Sequence, residues 1–342
     1  MSKTRDDKLE KITTRIQKML DGSPSILIGT GGTIPYGLPS MDDLSKKIKS
    51  ELNPIYKNNE SWKSFIAELD KNENLEESLG NVTLDDQIHN DLIWVVWKII
   101  YQKDIDARNR FLMKNSAPEI TKIISKFIQR TGTTNIITTN YDRIIEYAIC
   151  MADGKYCTGF TNGEIGQFKH FSSSGIQRMT NLYKVHGSVD WFKNKHDSSI
   201  ISISNFDDTA LSDIYNPVIV TPGNSKYKET HLDPFRTVMS KADDVLRDAC
   251  AYLCIGYGFN DEHIQPIIIS ENKLRNKPIV IVTKCITDKM KSLFCCDGIK
   301  NCMIISNDLS RGGTSVYYSE DEIDHYDDDY WQIGEFYKLW FE

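Results

Sequence analysis

The sequence predicts an α/β protein, a doubly wound parallel sheet with a helical insertion or cap domain. Two observations carry this. Short apolar runs rich in Ile and Val recur along the chain, separated by stretches with helical periodicity; that alternation builds parallel sheets. Between about residues 44 and 130 the strand-like runs stop and only helical patterns remain. The size agrees: 342 residues correspond to about two domains at roughly 150 residues each. A chain of that length buries a large core without needing disulfides or a metal.

The elements follow in order. Leu9, Ile12, Ile16 and Met19 recur at three- and four-residue steps and make one helical stripe, which Gly22 and Pro24 end. Ser25-Ile26-Leu27-Ile28 reads as a short buried strand running into Gly29-Thr30-Gly31-Gly32-Thr33. Ser40-Met41-Asp42-Asp43 has the capping-box pattern and starts the next helix. The loop between, with Pro35, Gly37 and Pro39, is longer than the tight turn of a dinucleotide fingerprint. In the helical block, Trp62, Phe65, Ile66 and Leu69 share one face, and Leu92, Val95, Val96, Ile99 and Ile100 another.

From about residue 133 strands return. Asn135-Ile136-Ile137-Thr138 leads to Asn140-Tyr141-Asp142 and a helix with Ile144, Ile145, Ala148 and Ile149. Residues 153–180, rich in Gly and Ser, read as an excursion. Leu182-Tyr183-Lys184-Val185 leads to His186-Gly187, and Pro217-Val218-Ile219-Val220 to Thr221-Pro222-Gly223. A helix carrying Val238, Ala242, Val245 and Leu246 precedes Ala251-Tyr252-Leu253-Cys254-Ile255, which runs into Gly256-Tyr257-Gly258. Ile279–Val282 and Met303–Ile305 complete the set. The expected division is 1–43, the first helix, strand and glycine loop; 44–130, the insertion; 131–310, the rest of the sheet domain; and 311–342, an acidic-aromatic tail. That tail is either a helix packed on the domain or a docking segment for a partner.

Composition excludes several classes. Lys+Arg 41 against Asp+Glu 48 gives a net charge of −7, which argues against a protein that coats nucleic acid, so no direct nucleic-acid binding is expected. The longest apolar run, Leu92 to Val96, is far shorter than a membrane span. The start is charged and lacks the apolar stretch of a secretory signal, so a cytoplasmic location and reduced thiols are expected. The eight cysteines include no Cys-x-x-Cys pair, so they read as small buried hydrophobes; Cys295-Cys296 is the alternative candidate for metal binding or oxidation.

The polar motifs share one placement, each following the carboxyl end of an expected buried strand, where ligands bind open α/β sheets. The glycines at 29, 31 and 32 allow backbone N–H groups to approach a phosphate, or make a plain turn. Asn140 is placed to hold a substrate amide or hydroxyl, or to cap the next helix. His186 suits proton transfer near neutral pH, or is a satisfied core histidine. Asn260 or Asp261 accepts from ribose hydroxyls, or caps the helix beginning near Glu262.

In this order the motifs resemble those of the Sir2 (sirtuin) superfamily, over about residues 22–310. The glycine loop is similar to its Gly-Ala-Gly cofactor loop, Thr139-Asn140-Tyr141-Asp142 to its Gln-Asn-x-Asp motif, and His186-Gly187 to its His-Gly pair. Gly256-Tyr257-Gly258-Phe259-Asn260-Asp261 is similar to the late glycine-rich motif of the divergent bacterial branch. The resemblance implies a Rossmann-like sheet and NAD+ as substrate, with Asn140 and His186 catalytic. Gly29, Thr30, Gly31, Gly32, Thr33, Tyr36, Asp142, Gly256, Tyr257, Gly258, Asn260 and Asp261 become the expected NAD+-binding set. Two departures matter. No cysteine lies between His186 and Cys250, so the four-cysteine zinc ribbon of the deacylating members is missing and no zinc is expected; and Thr139 stands where the motif has glutamine. Both point to the branch of NAD-consuming antiphage-defence enzymes, which cleave NAD+ to nicotinamide and ADP-ribose. The resemblance implies a homo-oligomer or a partner such as a HerA-type ATPase or an Argonaute-like protein. A protein deacylase and a non-catalytic nucleotide-binding assembly subunit are the alternatives.

Overall fold

The computed structural model describes residues 2–22, 24–72, 75–129, 133–171, 179–221, 232–295 and 299–342. In chain order these form α1 (Ser2–Met19), β1 (Ser25–Ile28), α2 (Met41–Tyr56), α3 (Glu60–Asn72), α4 (Leu75–Asn81), α5 (Asp86–Lys114) and α6 (Ile120–Ile128). There follow β2 (Thr134–Thr138), α7 (Ile144–Met151), β3 (Lys155–Cys157), β4 (Ile165–Gln167), β5 (Met179–Lys184), β6 (Gly187–Asn194), β7 (Ile200–Ile203), α8 (Asp208–Leu211) and β8 (Tyr215–Ile219). The last part holds α9 (Phe235–Asp248), β9 (Tyr252–Ile255), α10 (Ile264–Arg275), β10 (Ile279–Thr283), α11 (Asp288–Cys295), β11 (Cys302–Asn307), β12 (Thr314–Tyr317), β13 (Ile323–Tyr326) and α12 (Ile333–Phe341).

One sheet has nine strands in the order β13-β12-β11-β10-β9-β1-β2-β5-β3. From β11 to β3 every pairing is parallel; β12 and β13 add an antiparallel hairpin at the other edge. Its central strands are apolar without interruption because both faces are buried. Successive residues point to opposite faces. Ile26, Ile28, Ile136, Leu253, Val280 and Ile305 pack on one side with α1, α6, α7 and α12. Leu27, Ile137, Cys254, Ile281 and Ile304 pack on the other with α9, α10 and α11. The chain leaves β1 for β2 on one side and later returns to β9 on the other. That reversal opens a crevice at the carboxyl ends of the strands.

A second sheet, β4-β7-β6-β8, is antiparallel. It shares a core with α2, α3 and α5 through Phe192, Ile203 and Ile219 against Ile48, Phe65 and Val96. The Trp97 indole on α5 donates to the Val189 carbonyl of β6 at 2.8 Å, tying helices to strands.

Several expectations are corrected. The run at 217–220 does not join the parallel sheet; it forms β8, at the edge of the small sheet, paired with β6 alone among the described residues. Pro217 fits there because an edge strand has no ladder hydrogen bond to lose on its outer side. The excursion at 153–180 contains β3, β4 and the start of β5. Helix α6, expected with the insertion, packs under the main sheet through Ile123, Ile124 and Phe127. In the segment 311–342 the strands β12 and β13 were not expected, while α12 is the helix packed on the domain that one reading of the tail gave, with Phe336 and Trp340 buried in the main core. Its acidic residues hid the strands, since Ile323-Asp324-His325-Tyr326 lies on an outer edge and needs few apolar side chains. Capping-box residues Ser40 and Asp43 act as read: Asp43 N donates to Ser40 Oγ at 3.1 Å and Ser40 N to Asp43 Oδ2 at 3.0 Å. Cys254 and Cys302 are buried as expected, but Cys150, Cys250 and Cys285 are exposed and Cys157 is half-buried, against the reading of the cysteines as buried hydrophobes; the Cys295-Cys296 candidate lies outside the described side chains, as do Pro222 and Gly223.

Candidate functional site at the sheet switch point

After β1 the expected glycine loop folds into two short 3-10 turns, Thr30–Gly32 and Ile34–Tyr36. Four of its N–H groups bond inside the protein. Gly29 N donates to Ile255 O at 3.1 Å, Gly31 N to Gly256 O at 3.0 Å, Gly32 N to Gly29 O at 2.9 Å and Thr33 N to Thr30 O at 3.0 Å. The phosphate cradle expected at Gly31 and Gly32 is therefore replaced by a backbone-to-backbone contact. Gly256, at φ +57, lies so close that a Cβ there would meet Gly32 N at 2.0 Å, and one at Gly29 would meet Gly256 O at 2.6 Å. These glycines let two strand-end turns touch.

After β2, Thr138 donates to the Ile28 carbonyl at 2.8 Å and accepts from Asn140 N at 3.1 Å, which fixes the turn. Asn140 is 2% exposed. Its Nδ2 donates to Gly29 O and Thr33 Oγ1, both at 3.1 Å. Its Oδ1 is buried and accepts no hydrogen bond from any described residue. The helix cap considered for Asn140 is made instead by Asp142, whose Oδ1 accepts from Ile144 N at 3.1 Å. Asp142 Oδ2 accepts from Thr33 Oγ1 at 3.0 Å. Burial pushes the Asp142 carboxyl up to about 6, and nearby Asp104 adds to that against the opposing pull of Lys184. Behind the turn, buried Lys184 donates to the Asp142 carbonyl at 2.5 Å and to Glu146 Oε1 at 2.8 Å.

His186 stands between β5 and β6, where the chain passes from one sheet to the other. Its carbonyl accepts from Val220 N at 2.8 Å, and its Nε2 lies 2.7 Å from Asp261 Oδ2. Asp261 ends the turn after β9 and also caps α10 through Oδ1, accepting from His263 N and Ile264 N, both at 2.9 Å. Burial alone would raise its carboxyl; the imidazole and the two N–H groups outweigh that and hold it well below the usual carboxylate range.

Asn140, Asp142, His186 and Asp261 line one cavity of about 150 Å³. Gly29, Thr30 and Thr33 line it from the first turn, and Tyr257, Gly258 and Asn260 from the β9 turn. The buried Tyr257 hydroxyl, like Asn140 Oδ1, has no hydrogen-bond partner among the described residues. Gly31, Gly32, Gly256 and Tyr36 are not on the cavity wall. Tyr36 is structural: its hydroxyl accepts from Ile120 N at 3.2 Å and its ring packs edge-on against Phe111. The helical block closes the cavity with Leu38, Met41, Leu44, Ile100 and the carboxylate Glu76. Sequence reasoning did not nominate Glu76; Leu75-Glu76-Glu77-Ser78 reads as an ordinary acidic first turn, and only the packing of α4 brings it here. Among the described residues no group of three or more His, Cys, Asp or Glu is placed to hold a metal ion, and no helix is long and apolar enough to cross a membrane.

Comparison with known proteins adds the following. No curated protein matches the sequence. Among solved structures, one described as Sir2Tm bound to a propionylated peptide is similar at a TM-score of 0.45 and 13% identity, covering 85% of this chain and 91% of that one. Another, Sir2 with an inhibitor, 2′-O-acetyl-ADP-ribose and a deacetylated p53 peptide, gives 0.44 and 13%, covering 95% and 96%. The family model described as SIR2-like domain matches residues 134–293, which hold Asn140, Asp142, His186 and the β9 turn.

Proposed function

We propose that the cavity takes the nicotinamide–ribose end of NAD+ and hydrolyses its N-glycosidic bond, giving nicotinamide and ADP-ribose. The observation that carries this reading is the buried acceptor Asn140 Oδ1, without a partner among the described residues, on the same cavity wall as His186. A buried acceptor left unmatched is costly, and a ribose hydroxyl or a water molecule would satisfy it.

The chemistry asks little of an acid. The C1′–N1 bond breaks with its electron pair going to the pyridinium nitrogen, so nicotinamide leaves neutral. Water bonds to C1′ and its proton goes to His186, then to solvent. Asn140 orients the water or the ribose. General-base help of this kind is worth roughly 10²- to 10⁴-fold. Thr30 and Thr33 line the ribose path, Asp142 braces Thr33, and Asn260 faces the outer end. The cavity, about 150 Å³, is smaller than the roughly 300–1,000 Å³ of a drug-sized ligand site, which suits one end of the dinucleotide.

The SIR2-like match over residues 134–293 supports this reading, and so does the motif order that resembles the NAD-consuming branch. Following that resemblance, the protein acts in the cytoplasm as an antiphage effector that depletes NAD+, as a homo-oligomer or with a HerA-type or Argonaute-like partner. The test is incubation with NAD+ at several protein concentrations, with and without an acylated peptide, nicotinamide and ADP-ribose being quantified by chromatography. Peptide-independent release is expected. Asn140→Ala and His186→Ala each abolish it while keeping the wild-type circular dichroism spectrum. Release that requires the peptide would make the protein a deacylase, and full turnover by both variants would remove the site assignment.

A further inference from the structure

The cavity wall carries carboxyl groups at Glu76, Asp142 and Asp261, and among the described residues no lysine or arginine lines it. Two of these carboxyls are engaged within the sheet domain. Asp142 accepts from Thr33 Oγ1 and Ile144 N, and burial pushes it up to about 6. Asp261 accepts from His263 N and Ile264 N. Glu76 comes from the helical block, where it sits half-buried in the first turn of α4. Its neighbour Glu77 shares that turn but is exposed and off the cavity wall. The charge of Glu76 acts inward: after burial, Asp261 and Cys254, it helps to push up the Tyr257 hydroxyl, which is buried in the β9 turn beside the same cavity.

A helix N-terminus favours an acid in its first turn, which accounts for a glutamate at 76 or at 77. It does not account for one set against a cavity that already holds the Asp261 carboxylate. Like charges repel strongly where water is excluded, and a cationic guest offsets that repulsion.

We propose that Glu76 is a specificity-determining residue that reads the positive charge of the substrate ring, so that the cavity takes N-ribosylated pyridinium cations and discriminates against their neutral dihydropyridine forms. This rests on the glycosidase reading and deepens it by naming the substrate class. NAD+ and NADH share the carboxamide, both riboses, the pyrophosphate and the adenine; they differ by a hydride, and so by the charge of the ring. Only the cation has a glycosidic bond ready to break, because its ring nitrogen takes the electron pair and leaves neutral. A bound dihydropyridine would occupy the site without turnover. A carboxylate on the wall separates the two, and once the bond breaks its attraction for the uncharged nicotinamide ends. Positive charge stays on the ring–ribose unit through the transition state. The carboxylate therefore favours ground state and transition state alike, and its loss falls on KM rather than on kcat.

The experiment compares the full chain with Glu76→Gln and Glu77→Gln, glutamine keeping the size of the side chain. Calorimetry gives the Kd of carba-NAD+, a cationic analogue whose carbocycle resists cleavage, and of NADH; nicotinamide release from NAD+ is followed in parallel. The wild type is expected to bind carba-NAD+ about 10-fold more tightly than NADH, and Glu76→Gln to lose that preference by binding carba-NAD+ more weakly while NADH binds as before. KM for NAD+ rises about 10-fold in Glu76→Gln, with kcat within about 3-fold of wild type. Glu77→Gln behaves as the wild type, although it loses the same helix-terminus charge. The wild-type preference is read whether or not either variant folds. Equal affinity of the wild type for the two ligands, or an unchanged preference in Glu76→Gln, overturns the proposal; with nicotinamide still released by the wild type and not by His186→Ala, the glycosidase reading then stands. Full turnover by His186→Ala removes that reading itself.

Discussion

Asp142 and Asp261 face one cavity from strands on either side of β1, yet the protein treats their charges in opposite ways. Burial is the largest influence on both and pushes both carboxyls up. For Asp142 it wins, and the group titrates at about 6. For Asp261 an imidazole 2.7 Å away and two backbone N–H groups reverse it. Depth therefore does not decide the ionisation of a buried carboxyl; what stands beside it does. One wall of the cavity exchanges a proton near neutral pH and the other keeps a fixed negative charge. Such a split is how two carboxyl groups come to hold different roles in one site.

Lys184, the cation behind Asp142, works against the contrast by pulling that carboxyl down. It is 1% exposed, and Nζ donates to Glu146 Oε1 and to the carbonyls of Asp142 and Tyr141. Lys184→Met strands Glu146, whose Oε2 already has no donor among the described residues. Breaking a buried pair from one side costs about 3–5 kcal/mol. That loss is expected in urea unfolding at pH 8. It shrinks at pH 6, because burial already pushes the Glu146 carboxyl up to about 7 with the lysine in place, and it protonates more readily without it. A loss below about 1 kcal/mol at pH 8 would show that water, not Lys184, satisfies this carboxylate.

The geometry beneath the contrast is the contact of the two glycine turns. Gly256 has φ +57, and a Cβ there would lie 2.0 Å from Gly32 N and 2.2 Å from Gly31 C. Gly256→Ala therefore pays for a left-handed alanine and forces the turns apart, together about 3–4 kcal/mol. The same displacement moves Thr33 away from Asp142 and Asp261 away from His186. Thermal unfolding and nicotinamide release should fall together. A variant with wild-type stability would show that the turns are not in contact in solution.

How much of this was legible in the sequence follows from physics of different range. Strand cores such as Ile26–Ile28 and Ile279–Val282 announce themselves because burial on both faces demands unbroken apolar runs. The capping box at Ser40 is visible because its partners are three residues apart. The positions of Asn140 and His186 at strand ends could also be read, since the carboxyl edge is a property of parallel topology. What depends on contacts between distant segments was hidden. The glycines at 31 and 32 suggested a phosphate site, but Gly31 N–H is taken by Gly256 O and Gly32 N–H by Gly29 O, and their missing Cβ atoms make room for the turn at Gly256. Asp261 could be read as a cap, while the imidazole it meets lies 75 residues earlier. The small sheet was missed because β8 contains Pro217 and resembles a parallel strand in composition; only its pairing with β6 distinguishes it.

The smallest expected effect separates the two carboxyls directly, through stability against pH. A group such as Asp142, raised from 3.8 to about 6 on folding, binds its proton more tightly in the folded chain. Its contribution therefore falls as pH rises from the unfolded value through about 6, by at most about 3 kcal/mol at 1.36 kcal/mol per pH unit. Asp261 is depressed, so its contribution is complete above the unfolded value near 3.9 and disappears only as pH falls below it. Asp142→Asn should flatten the decline between pH 4 and about 6 and leave the acid side as it was. Asp261→Asn should lower stability at neutral pH and flatten the acid side instead. Urea midpoints measured from pH 3 to pH 8 read both, with the Glu146 decline toward about 7 as a shared background. If the two variants changed the same limb, the opposing environments inferred for these carboxyls would be wrong, and burial alone would set both.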